Sequence, residues 1–148
     1  MSLRFRFGAP RANLIHVGIA SPSIAFDEVL TAGPDNPIDA IADAALAAAE
    51  GRPASALLRT APDAYTLHFQ PQAGRVRLEI VRAAASPAAK GTRVFQATGS
   101  SQDLLVPVWR GLRELGGRWP GGDGCWAAPF PTQAVSRLGG VLGQAAES

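Results

Sequence analysis

Over residues 54–98 the chain alternates apolar and polar residues in several short runs, and an amphipathic helical pattern lies on each side of that block. Alternation with period two puts every second side chain on one face of a strand. Over 65–70, Tyr65, Leu67 and Phe69 fall on one face, and Thr66, His68 and Gln70 on the other. Over 75–82, Val76, Leu78 and Ile80 oppose Arg75, Arg77 and Glu79. Residues 56–60 and 92–98 complete the set. The breaks between the runs are short and rich in Pro, Gly and Asp, which predicts an antiparallel meander. A sheet with one apolar face needs helices to cover it.

The N-terminal part adds strands. Leu3, Phe5 and Phe7 alternate with Arg4 and Arg6, and residues 13–20 place Ile15, Val17 and Ile19 opposite His16. The run IAFDEVL at 24–30 fits either a third strand or one or two helical turns.

The helices carry their own punctuation. Asn36 suits a cap, Pro37 the first helical position, and Asp39 the positive end of the helix dipole. Ile38, Ile41, Ala42, Ala45, Leu46 and Ala49 keep helical spacing until Gly51 and Pro53 stop it. Ser100 or Ser101 opens a second helix with Asp103 in its first turn. Its buried stripe is Leu105, Val108, Trp109, Leu112 and Leu115, and Pro107 bends it. Thr132 is placed to cap a last, shorter helix carrying Val135, Leu138, Val141 and Leu142. The expected fold is α+β: one antiparallel sheet, a meander plus an N-terminal hairpin, covered on one face by two long helices and a short C-terminal helix. The 148 residues suit one domain spanning 1–148.

Composition excludes several function classes. Lys and Arg number 14 against 12 Asp and Glu, a surplus too small to demand a polyanionic partner. Arg4, Arg6, Arg75, Arg77 and Arg93 would form a basic patch if their strands were neighbours. The aromatics that would stack on bases, Phe5, Phe7, Tyr65 and Phe69, fall on the apolar face instead, which argues against nucleic acid. One cysteine, Cys125, permits no internal disulfide. The opening MSLRFRFGAP lacks the apolar stretch of a signal peptide, and no run approaches a membrane span. These features point to a cytoplasmic setting with no membrane partner.

No catalytic constellation emerges. The run GDGCWAAPF superficially resembles the Gly-x-Cys-Trp segment of papain-like proteases, but no histidine follows Cys125, and Pro129 and Pro131 forbid the helix such a cysteine opens. His16, His68 and Cys125 match no zinc spacing, so neither a metal nor a cofactor is expected. Lys90-Gly91-Thr92 lacks the upstream glycine of a phosphate-binding loop. The binding candidates are the Gly/Pro-rich loop at 118–131, with Trp119, Trp126 and Phe130, and the polar sheet face, with His68, Arg75 and Arg77. Tryptophans on a glycine-freed loop suit anchoring on a partner. Capping the core between two helices is the plainer use of these rings, since large aromatics dominate core energetics.

Three segments carry a resemblance: DNPIDAIADAALAAAEG, DAYTLHFQPQAGRVRLEIVR and DLLVPVWRGLRELG. In this order they resemble a loose set of uncharacterised bacterial α+β proteins, some of them similar to immunity proteins of toxin–antitoxin or polymorphic-toxin systems. The resemblance covers about residues 36–116 by pattern and transfers no site residue. It implies a non-enzymatic domain that binds another protein. The alternative is a small-molecule binder or enzyme with a pocket between sheet and helices near His68, Arg77 and Trp109. A homodimer is compatible with either reading if a strand edge is exposed.

Overall fold

The computed structural model describes residues 3–8, 13–31, 36–60, 63–83, 91–117, 119 and 130–143. The fold is α+β, with seven strands and three helices among these residues. The strands form two antiparallel sheets, where the sequence pattern suggested one. Strands β1 (Arg4–Phe7), β2 (Leu14–Ala20) and β3 (Ala25–Thr31) make a three-stranded sheet in that order. The ambiguous IAFDEVL run is therefore a strand. It pairs with all of β2, from Leu14↔Thr31 to Ala20↔Ala25, and turns the expected hairpin into a meander. After helix α1 (Pro37–Ala49), β4 (Ala54–Arg59), β5 (Ala64–Gln72), β6 (Arg75–Arg82) and β7 (Thr92–Ser100) form a four-stranded meander. Helices α2 (Ser101–Gly117) and α3 (Thr132–Val141) follow.

Local chemistry sets each boundary. The Asn36 side chain accepts from the Ile38 N–H at 3.1 Å, capping α1. At the other end Arg52 N–H donates to the Ala47 carbonyl and Gly51 N–H to that of Ala48, with Gly51 at φ 85°. That is a Schellman ending, and it needs a residue at ease in the left-handed region. Ser100 Oγ accepts from the Asp103 N–H and opens α2, which contains Pro107. Pro131, not Thr132, holds the cap position of α3, and no side chain caps it. The β5–β6 hairpin turns on Ala73 (φ 50°) and Gly74 (φ 80°) between the paired Gln72 and Arg75. Two positive φ values in a two-residue loop define a type I′ turn, whose twist matches the strands it joins.

One hydrophobic cluster runs through both sheets and all three helices. Helix α1 packs on β4 and β5, and α2 packs on β1, β6 and β7, so α2 bridges the two sheets. Gly8 N–H donates to the His16 carbonyl. Hydrogen-bonded pairs alternate in an antiparallel ladder, so Phe5 and Phe7 turn their peptide groups away from β2. The Phe5 carbonyl there meets α2 at Gly111, where a Cβ would lie 2.4 Å from that oxygen. The seam between the sheets is tied at β3. Thr31 Oγ1 donates to the Arg59 carbonyl at 3.4 Å, the Phe26 and Tyr65 rings meet edge-on at 5.0 Å, and Tyr65 Oη donates to Glu28 at 3.2 Å.

Candidate binding surface

The polar face of the four-stranded sheet is a cross-strand ladder. His68 stands between Ser55 on β4 and Glu79 on β6, and Glu79 faces Gln96 on β7. Ser55 Oγ lies 2.9 Å from His68 Nδ1, and Arg77 donates to Gln70 Oε1 at 2.6 Å. Glu79 is flanked by Arg77 at 3.9 Å and Arg93 at 3.7 Å. Arg93 reaches it because of a bulge. Ile80 pairs with Phe95 but Val81 with Arg93, so Val94 is the extra residue and Arg93 is aimed at the polar face.

Ser55, His68 and Glu79 are the residue types of a hydrolytic triad. The Glu79 charge is already engaged by two guanidinium groups. Strands β5 and β6 are paired on both sides, so their amides are spent on the ladder rather than aimed at an oxyanion. The row reads as sheet-stabilising polar pairing.

The five arginines do not make one patch. Arg4 and Arg6 belong to the three-stranded sheet, and Arg75, Arg77 and Arg93 to the other. His16 and His68 are divided in the same way. Phe5, Phe7, Tyr65 and Phe69 are buried, as their alternation predicts.

His68 and Arg77 face away from the helices. Trp109 is buried on α2 with the Arg113 guanidinium 5.3 Å from its ring centre. The hollow beside Trp109 has a volume of about 290 Å³ and lies between α2 and α3, with Phe130, Thr132, Val135 and Ser136 in its walls. His68, Arg77 and Trp109 therefore do not line one pocket. Trp119 and Phe130 pack on each other at 5.3 Å and lean on the core, half-buried. Trp126 and Cys125 lie outside the described residues.

Burial shifts two ionisable groups. It raises the Asp39 carboxyl, with Asp43 adding to the effect and the Asn36 hydrogen bond opposing it. It also raises the Tyr65 hydroxyl, reinforced by the charge and hydrogen bond of Glu28. Among the described residues no group of three His, Cys, Asp or Glu is placed to hold a metal, and no helix is long and apolar enough to cross a membrane.

The outer face of the three-stranded sheet brings together residues that alternation places only strand by strand. It carries Arg4 and Arg6 on β1, Leu14, His16 and Gly18 on β2, and Asp27 and Val29 on β3. Leu14 is 43% exposed and Val29 45%. They sit on paired strands, two residues out of register, close enough for their side chains to share a surface. His16 Nε2 meets Asp27 Oδ1 beside them. The one available signal was the odd Leu14 and Val29 at polar positions of an alternating pattern.

No family model, no curated protein and no solved structure matches this chain.

Proposed function

We propose that this chain is a non-enzymatic, immunity-like protein that binds another protein, and that the outer face of β1–β3 is its docking surface. One observation carries the reading. Leu14 and Val29 stand exposed on neighbouring strands of this face, with His16 and Asp27 next to them and Arg4 and Arg6 further along it. Exposed apolar side chains bordered by charged groups suit a protein interface. On the polar face of the four-stranded sheet Leu57 and Val81, paired through Thr66, are half-buried rather than exposed.

The test is affinity capture from the native cell with two baits, the wild-type chain and Leu14→Glu/Val29→Glu. Both positions are exposed, so the variant keeps its stability to within about 0.5 kcal/mol per site. A protein held by the wild type and released by the variant, and then bound again as a purified pair, supports the reading. Identical captures from the two baits would sink it.

A further inference from the structure

Gly18 sits in the middle of β2, and nothing inside the protein explains it. Glycine within a strand costs about 0.5–1 kcal/mol relative to alanine, so it marks a bulge, a left-handed backbone or the close approach of another group. The register from β1 through β2 to β3 runs without interruption at Gly18. Its backbone is not in the left-handed region. A Cβ added there would meet only His16 Cε1, at an ordinary contact of 3.8 Å. Buried glycines elsewhere have internal causes: Gly99, Gly111 and Gly139 would drive a Cβ to within 2.5 Å of Leu104, Phe5 and Trp109 respectively. What remains for Gly18 is a group arriving from outside.

The surroundings of Gly18 state the chemistry of that group. A hollow of about 410 Å³ opens over it, walled by Arg4, Arg6, His16, Ala20 and Asp27. Arg6 stands directly opposite Gly18 on β1 and Asp27 directly opposite it on β3. The guanidinium groups of Arg4 and Arg6 have no ion-pair or side-chain hydrogen-bond partner among the described residues. The Asp27 carboxylate is committed to His16. Two guanidinium groups against one carboxylate leave a surplus of one positive charge. A single carboxylate group neutralises it, whereas the two charges that a phosphate dianion carries on one centre exceed it.

We infer that the hollow over Gly18 is a carboxylate-binding site. Arg4 and Arg6 supply the charge-assisted donors, whose planar forks match a carboxylate. His16 forms the wall beside the bound group, and Asp27 is the positioning residue that holds the imidazole there. The hollow has room for the carboxylate and the few carbon atoms that carry it. A small organic acid and an acidic side chain present the same chemistry. The inference stands whether or not the sheet face docks a protein.

The experiment is an NMR titration of the full chain, ¹⁵N-labelled, with acetate, succinate, inorganic phosphate and a short glutamate-containing peptide, at constant ionic strength with chloride as the control. Acetate and succinate are expected to shift the Gly18 amide and the Arg4 and Arg6 Nε signals to saturation. Saturation by the peptide at lower concentration assigns the site to a side chain of a larger partner, and tighter succinate binding assigns it to a free acid. Arg6→Gln weakens binding about tenfold, the equivalent of one charge-assisted hydrogen bond. Gly18→Leu fills the hollow and abolishes the shifts while the rest of the spectrum keeps its dispersion. Gly18→Ala, whose methyl the structure accommodates, is the second variant if the larger side chain disturbs the sheet, and it weakens binding. Shifts that rise linearly and equally with chloride, binding that survives both Gly18 variants, or phosphate binding tighter than acetate would each overturn the assignment.

Discussion

His16 is paired in the sheet with Val29, yet its Nε2 meets the carboxylate of Asp27, the residue opposite Gly18. The imidazole leans along β2 past Gly18, and a Cβ added there would still lie an ordinary 3.8 Å from His16 Cε1. The side chains remain 50% and 70% exposed. Water therefore screens the pair, and exposed pairs of this kind contribute less than about 1 kcal/mol. A double-mutant cycle of His16→Ala and Asp27→Ala, followed by urea denaturation, is expected to give a coupling below that figure and to lose it in molar salt. A coupling of several kcal/mol would show that the pair orders the sheet itself.

Gly111 and Gly140 are both helical glycines with opposite expected responses to alanine. At Gly111 the new methyl would lie 2.4 Å from the Phe5 carbonyl, so the backbone of β1 or α2 must move. Gly111→Ala is expected to destabilise by about 1–3 kcal/mol despite alanine's better helix propensity. At Gly140 nothing lies within 4 Å of the added atom. Gly140→Ala is expected to stabilise by about 0.5–1 kcal/mol. Parallel urea melts decide both signs.

Ala73 occupies the first position of the type I′ turn with φ 50°. Its Cβ is strained there, and asparagine is the residue this position prefers. Ala73→Asn is expected to raise stability by about 0.5–1 kcal/mol. Thermal melts that stay level or fall would show that the hairpin does not rest on this turn.

The Tyr65 hydroxyl gives a pH dependence. Its folded pKa is raised above the ordinary 10.0 by burial first and then by Glu28. As pH rises through 10.0 the unfolded chain ionises before the folded one and binds fewer protons, so stability falls until the folded pKa is passed. Tyr65→Phe loses the hydrogen bond to Glu28, about 1 kcal/mol at neutral pH, but lacks this alkaline loss. Urea denaturation at about pH 8 and about pH 11 is expected to show the gap between wild type and variant closing. A gap that stays constant would remove the assigned cause.

Much of the fold is legible in the residues themselves. Alternation assigns Phe5, Ile15, Val17, Leu67, Phe69, Leu78 and Ile80 to the buried side, and all are buried. Asn36, Pro37 and Gly51 delimit α1 where their backbone preferences require. What local pattern does not encode is which strands become neighbours. Phe26 and Leu30 in IAFDEVL are four apart, which satisfies a helix turn and a strand equally, and only pairing with β2 decides. Helix α1 lies between β3 and β4 in the chain, and these two strands belong to different sheets. The same limit hid the candidate site. Arg4, His16, Gly18 and Asp27 come from three strands and meet only once register is fixed. The bulge at Val94 that aims Arg93 at Glu79 is likewise a property of pairing. The faces of His68 and Arg77 were readable from alternation, while their distance from Trp109 depended on which side the helices pack.

The crossing of α2 over β1 has a consequence for the molecule in a crowded solution. An uncovered strand edge is a template on which other chains polymerise. Gly111 lets the helix lie flat enough on the Phe5 carbonyl to shield the margin of the three-stranded sheet. A bulkier residue there would do more than loosen one packing contact, because it would expose that margin to self-association. The close approach at this glycine thus bears on the sheet margin as well as on the packing of α2.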